Sequence, residues 1–242
     1  MLELAAVPTL PAEDLEELRR IERELRQLDG ARLAREGERL LRRAAELAQA
    51  GGATLVLEVE PSSPALDTAA SRAGLRLERD ILQLRRPLPV SERSDLAVRA
   101  FVPGRDEPAW LAINNRAFAW HPDQAEWSVA DLRTRQSEPW FDPAGFLLHE
   151  RDGRLAGFCW TKVHHDEQPP LGEIYVIAVD PDFHGQGIGR ELLVAGLRHL
   201  GELGLDTAML YVEADNEPAL ALYRALGFTP HHSHRWYRSP QP

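Results

Sequence analysis

The sequence holds one cysteine, Cys159, and one lysine, Lys162, in 242 residues. A single thiol allows no internal disulfide, which fits a reducing compartment, and the expected location is the cytoplasm. With lysine so scarce among 28 Lys+Arg, arginine is written wherever a generic cation serves, as in a GC-rich genome. Lys162 then stands out, because a compact rotatable ammonium does what a planar guanidinium cannot. Long apolar runs are also missing. None approaches the roughly 20 residues that span a bilayer, so no membrane partner is expected. The opening MLELAAVPTLPAEDLEE has neither a basic flank nor a small-residue cleavage site, and it is not expected to act as a signal peptide. Positive charge is in deficit: the formal net charge is −10, which argues against nucleic acid as a partner, since that binding needs a clustered basic face. The apolar share of 43% and charged share of 27% are those of a soluble globular chain, long enough for one large domain or two small ones.

Periodicity then divides the chain. Leu15, Leu18, Ile21, Leu25 and Leu28 recur at helical spacing up to Gly30, and a second helix runs to Gly51. A β-type run ATLVLEV, a helix in SPALDTAASRAG and an alternating run LRLERDILQLRR follow. The polar, proline-bearing stretch PLPVSERSD marks a boundary. Beyond it the spacing predicts a strand at AVRAFV, helices at EPAWLAINNRAFA and VADLRTR, and a hairpin turning at Arg151-Asp152-Gly153. A strand EIYVIAV, a long helix RELLVAGLRHLGELG, a strand TAMLYVE, a helix EPALALYRALG and a last strand near HSHRWYR complete the order. Antiparallel hairpin plus βα units predict an α/β (α+β) fold around a mixed sheet.

The two halves end alike. Each runs helix, strand, loop, helix, strand, with Pro64-Ala65-Leu66 echoing Pro218-Ala219-Leu220 and Gly74-Leu75 echoing Gly227-Phe228. This suggests a truncated, non-catalytic copy over 1–88, a linker over 89–95 and a complete catalytic copy over 96–242, the first lacking opening strands and any glycine-rich turn. Any two helix-strand-helix-strand segments can be aligned in this way, so the repeat stays an expectation.

Chemistry concentrates after IYVIAVDP, where His184, Gly185, Gln186, Gly187, Ile188, Gly189 and Arg190 lead straight into a helix. Glycines let such a turn gather backbone N–H groups in front of a positive helix end, which suits a pyrophosphate. It is not a P-loop, since no Gly-Lys-Ser/Thr follows, and Leu192 takes the last place of a dinucleotide fingerprint. Downstream stand Asn216 before a helix, Tyr223 within it and Gly227-Phe228 at its end.

With those residues together the chain resembles the GNAT acetyltransferase superfamily, whose acyl-CoA motif is Arg/Gln-x-x-Gly-x-Gly/Ala; His184 stands here in its first place, which removes no backbone donor. Over residues 98 to 228, FVPGRDEPAWLAINNRAFAWHPDQAEWS, EPWFDP, GFCWTKVH, LGEIYVIAVDP and LYVEADNEPALALYRALGF are similar to the mycothiol synthase family. The resemblance implies a tandem GNAT fold and acetyl transfer from acetyl-CoA to the cysteinyl amine of desacetylmycothiol, a small thiol-sugar, by a monomer without a metal. It implies that Ile177, Ala178 and Val179 line the acetyl-pantetheine arm and that His184 to Arg190 hold the pyrophosphate. Asn216, Glu217, Pro218, Ala219, Leu220 and Ala221 would flank the other side, and Asp123, Lys162, Glu173 and Tyr211 would contact the thiol substrate. Simpler roles stay open: a turn cap for Asp123, a solvated strand residue for Lys162, ordinary sheet packing for Tyr211. Another amine acceptor, such as a peptide N-terminus or an aminoglycoside, and a non-catalytic acyl-CoA-binding module also stay open.

An ammonium cannot attack a thioester, so a base is needed. Glu173, spaced by two from Tyr175 and by four from Ile177, is expected to share their strand face and to be that base. Tyr223 is the expected proton donor to the leaving thiolate, and a backbone N–H near Ile177 the expected oxyanion donor. Cys159 is read as a packing residue. His231, His232 and His234 invite a metal, but no cysteine or carboxylate cluster accompanies them in the sequence. Trp120, Trp127, Trp140 and Phe141 either wall the substrate pocket or fill the core.

Overall fold

A computed structural model describes residues 1–119 and 126–241. The chain forms β1 (Leu2–Val7), α1 (Ala12–Arg26), α2 (Gly30–Ala50), β2 (Thr54–Val59), α3 (Pro64–Arg72) and β3 (Arg76–Pro87). It continues with β4 (Arg99–Ala100), α4 (Glu107–Ala117), α5 (Val129–Gln136), β5 (Phe146–Arg151), β6 (Arg154–His164) and β7 (Leu171–Val179). Last come α6 (Ile188–Glu202), β8 (Thr207–Glu213), α7 (Glu217–Ala225) and β9 (Thr229–Arg238). Two compact units result. One comprises residues 1–84, 211–221 and 230–242; the other comprises 85–210 and 222–229.

In the first unit the strand order is β1-β2-β9-β3. β1 pairs antiparallel with β2, Leu4 opposite Leu57; the sequence reading left these first residues without a strand. LELAAV lies at the edge of its sheet, where a short run needs only one apolar face and gives a weak signal. Leu18, Ile21 and Leu25 of α1, Leu41, Ala44 and Leu47 of α2 and Leu66 of α3 close over Leu55 and Leu57. α3 starts where Ser63 accepts a hydrogen bond from the Leu66 amide with Pro64 in the first turn, the usual chemistry of a helix start. β9, the end of the chain, is antiparallel to β2 with Tyr237 opposite Leu57, and Tyr237 donates to Asp67 of α3 at 2.7 Å. The compact units therefore do not follow the order of the chain.

In the second unit the order is β8-β7-β6-β5-β4. β5, β6 and β7 are antiparallel, while β7 and β8 run parallel through Gly172–Ala208 and Glu173–Met209, so this sheet is mixed. Asp152 (φ 54°) and Gly153 (φ 75°) make the tight β5–β6 turn, both in the left-handed region that a two-residue hairpin requires. One face of this sheet carries an aromatic core of Phe101, Trp110, Phe146, Phe158 and Trp160, with Trp160 stacked on Phe146 at 4.3 Å between centroids. α6 covers the other face so closely that a Cβ on Gly196 would stand 2.5 Å from Cys159 Sγ.

Candidate active site

The site begins with an irregularity in β7. Across the β6–β7 ladder Trp160 faces Val176, and the next residue, Thr161, faces Ile174, so Tyr175 is an extra residue in β7 without an opposite number. Such a bulge inverts the alternation of side chains beyond it. Glu173 shares the face of its partner Lys162, and Val176 shares the face of Trp160. Ile177, paired with Cys159, lies on the α6 face. The expectation that Glu173, Tyr175 and Ile177 share one face is thus corrected: two-residue spacing fails wherever a strand carries an inserted residue.

Glu173 is 6% exposed, and its Oε2 lies 2.7 Å from Nε2 of His164, a residue that sequence reasoning missed. The signal was available in the segment TKVH, where His164 is two residues from Lys162 and so on the same strand face. Lys162 is half-buried with its ammonium over two rings, 5.0 Å from the centroid of Trp140 and 5.7 Å from that of Tyr175, a cation–π arrangement. Burial pushes the Tyr175 phenol up; Arg135 pulls it back, and the charges of Glu173 and Glu138 push it further up. Trp127, Trp140 and Phe141 all pack on the aromatic core, at 5.7 Å from Trp110, 5.7 Å from Trp160 and 5.8 Å from Trp160. Of these, Trp140 also meets Tyr175 at 5.0 Å, so it belongs to both core and site. Asp123 and Trp120 lie outside the described residues.

β7 continues through the half-buried Ile177, Ala178 and Val179 into the turn. Asp180 anchors it, accepting from the Asp182 amide at 2.9 Å and from Arg116 at 3.1 Å. His184, Gly185, Gln186 and Gly187 are all exposed, as is Arg190. Gly185 and Gly187 have φ of 75° and 79°, which only glycine adopts without strain. The amides of Gly185, Gln186 and Gly187 make no hydrogen bond to a backbone carbonyl among the described residues, and the first turn of α6 adds unbonded N–H groups at the positive end of a 15-residue helix. His184 Nε2 lies 2.9 Å from the Val179 carbonyl and Gln186 accepts from Arg151 at 2.8 Å. Their side chains brace the turn, and the donors available to an anion are backbone. These residues fit a diphosphate.

Tyr223 is 8% exposed. Burial pushes its phenol well up, and Cys159, within electrostatic reach, adds to the shift. Cys159 itself is fully buried, its thiol pushed up to about 12 by desolvation, so it packs rather than attacks.

Tyr211 and Asn216 to Ala221 belong to the other unit. Asn216 caps α7, accepting from the Ala219 amide at 3.2 Å. Tyr211 is 41% exposed; its hydroxyl accepts from Gln83 at 2.7 Å and donates to Glu60 at 3.2 Å. Glu60 also accepts from His232, and Glu58 accepts from His234, each at 2.8 Å. Burial opposes the charge on Glu60, but His232, His234 and the Tyr211 hydroxyl outweigh it and hold its pKa below the usual range. The histidines of β9 therefore do have carboxylate company, brought by β2 from far away in sequence. Among the described residues no group of His, Cys, Asp or Glu is arranged to hold a metal ion.

Residues 110–228 match the acetyltransferase (GNAT) family. A mycothiol acetyltransferase of Thermomonospora curvata is 53% identical over 186 residues, 74% of this chain and 61% of that protein. One from Thermobispora bispora is 48% identical over 201 residues, 80% of this chain and 67% of that protein. The chain thus spans about three fifths to two thirds of the length of these curated relatives. A crystal structure of a GCN5-related N-acetyltransferase from Sphaerobacter thermophilus superposes with a TM-score of 0.63 at 24% identity, covering 84% of this chain and 67% of that one, and shares the fold. By sequence and by fold the chain belongs to the GNAT acetyltransferase family, on its mycothiol acetyltransferase branch.

Proposed function

We propose that the chain transfers the acetyl group of acetyl-CoA to the cysteinyl amine of desacetylmycothiol, the last step of mycothiol biosynthesis. One observation carries the reading: a single strand, β7, bears a buried carboxylate, Glu173, and ends in an exposed turn of backbone donors. The relatives' names supply the acceptor. The turn from His184 to Arg190 takes the diphosphate, Ile177 to Val179 run beside the pantetheine arm, and Asn216 to Ala221 lie along its other side. Lys162, Glu173, Tyr211 and Asp123 contact the thiol-sugar.

At neutral pH an α-amine, with a pKa of roughly 8, is mostly ammonium. Glu173 removes that proton, directly or through a water, and a carboxylate screened from solvent is suited to do so. As the amine attacks, charge grows on the acetyl oxygen and a backbone N–H of β7 near Ile177 receives it. Tyr223 returns a proton to the departing thiolate. Cys159, within electrostatic reach of the Tyr223 phenol, takes no part. The catalytic copy spans 96–242, 89–95 is a linker and 1–88 is a second, non-catalytic GNAT-like copy; the matching orders α2-β2-α3-β3 and α6-β8-α7-β9 support the repeat. We further propose a cytoplasmic monomer with no nucleic-acid or membrane partner; the net charge of −10 supports the part that concerns nucleic acid.

Release of free CoA thiol from acetyl-CoA, measured with desacetylmycothiol, an N-terminal peptide and an aminoglycoside in parallel, tests the reading. Turnover is expected with the thiol-sugar; turnover with the peptide alone would move the acceptor elsewhere. Glu173→Gln is expected to lower kcat/KM by roughly 100-fold or more, with partial recovery at high pH as the amine deprotonates unaided. Intact acetyl-CoA binding without such recovery would leave Glu173 as a binding residue.

A further inference from the structure

The β6–β7 ladder sets Lys162 across from Glu173, a placement that ordinarily favours a cross-strand ion pair. Among the described residues no ion pair joins them. Lys162 rests its ammonium over Trp140 and Tyr175, and the Glu173 carboxylate turns along the strand to His164, at 2.7 Å. The His164 side chain is 19% exposed against 8% for Glu173, so the carboxylate is the more deeply buried of the two and one of its oxygens is bonded to the imidazole. With the carboxylate oxygen accepting, the bonded Nε2 is the ring nitrogen that carries the hydrogen.

Resting on the reading of Glu173 as the base, we infer that His164 is its positioning residue. The Nε2–H fixes Oε2, which leaves Oε1 directed to the amine, and it gives a buried charge the donor without which burial would disfavour it. It also keeps Glu173 from swinging to Lys162, whose charge stays available to the thiol-sugar. The other groups around the pair do not supply this donor. Tyr175, on β7, feels the Glu173 charge together with Arg135 and Glu138 from the end of α5. β8 presents the apolar Met209 opposite Glu173, and His164 itself faces Leu171. His165, Asp166 and Glu167, which follow β6, are exposed, where water and salt screen them.

The test uses His164→Leu and His164→Gln, each alone and with Glu173→Gln, in full-length protein. Glutamine can present an amide N–H near the position of Nε2 and cannot titrate. With acetyl-CoA and desacetylmycothiol, His164→Leu is expected to lower kcat about 10-fold and to move the acid limb of kcat/KM to higher pH. The KM for acetyl-CoA should stay unchanged, His164→Gln should restore most of kcat, and His164→Leu should cost nothing further in the Glu173→Gln background. Nitrogen-detected NMR of the ring needs no acceptor: His164 is expected to carry its proton on Nε2 in the native protein and to lose that tautomer preference once Glu173 is glutamine. An unchanged pH profile in His164→Leu, or an equal loss in the Glu173→Gln background, overturns the inference. So does a His164 tautomer indifferent to Glu173→Gln, and if that variant is meanwhile inactive the base reading survives alone. Wild-type kcat in Glu173→Gln with the tautomer change intact would instead remove the base reading and, with it, the catalytic part of the inference.

Discussion

At the scale of single residues, burial sets the protonation state of Tyr223, the proposed proton donor. With 8% exposure its phenol is pushed well up by desolvation and stays protonated throughout the range in which an acetyl transfer is assayed. The leaving thiol, with a pKa of about 8.5, needs only modest help. Tyr223→Phe is therefore expected to lower kcat by about 10-fold, below the usual range of general acid catalysis, with KM for acetyl-CoA unchanged; an unaltered kcat across pH would remove the role. The sign of the linkage follows from the raised value in the folded state. Below the unfolded phenol pKa near 10 the contribution to stability is complete, and it is lost as pH rises beyond about 10. Denaturant unfolding at pH 9 and pH 11 should thus show a steeper loss for the native protein than for Tyr223→Phe. The place of Tyr223 inside α7 was legible in the sequence, whereas its burial was not, because that depends on how α7 packs, with Phe228 at 5.9 Å.

At the scale of elements, the β7–turn–α6 unit separates glycines that must be glycine from one that need not. Gly187, with φ of 79°, begins α6, and a side chain there costs about 1–2 kcal/mol of left-handed backbone. Gly187→Ala should therefore weaken acetyl-CoA binding roughly 10-fold. A Cβ on Gly189 would meet only Val179 Cγ2 at 3.5 Å, ordinary contact, so Gly189→Ala should fold and bind nearly as the native protein does. Titration calorimetry of the two variants checks the contrast. Gly196→Ala would set a methyl group 2.5 Å from Cys159 Sγ and 3.0 Å from Ile174 Cδ1, and should destabilise by about 1–3 kcal/mol, read as a lower Tm with little change in KM. The turn, its strand and its helix were all legible, because each has a strong local period or a glycine signature. The bulge at Tyr175 was not. An inserted residue is defined by what stands opposite it in β6, and EIYVIAV alone alternates as if regular, so the face assigned to Ile177 came out inverted.

At the scale of the whole molecule, the chain's end folds with its beginning. Arg235 of β9 bonds to Asp67 and Asp80, and Leu55 donates to Ser239 at 2.9 Å. These links exist only when residues 155 to 184 positions apart in the sequence meet, which no local period announces; a similar separation hid the partners of His232 and His234. They also bear on how the parts can be cut. A fragment of 89–242 would carry β9 without β2 and leave Tyr237 uncovered, so it should express as an aggregating or poorly folded species, seen in circular dichroism and size-exclusion chromatography, although it holds every residue of the β7 site. Full-length protein should be monodisperse. The central claim, that the bend between β7 and α6 holds the diphosphate of a CoA thioester, is tested most directly by calorimetric titration of folded full-length protein with acetyl-CoA. Saturable binding at one site, weakened in Gly187→Ala, is the expected result; folded protein that takes up no acetyl-CoA would contradict it.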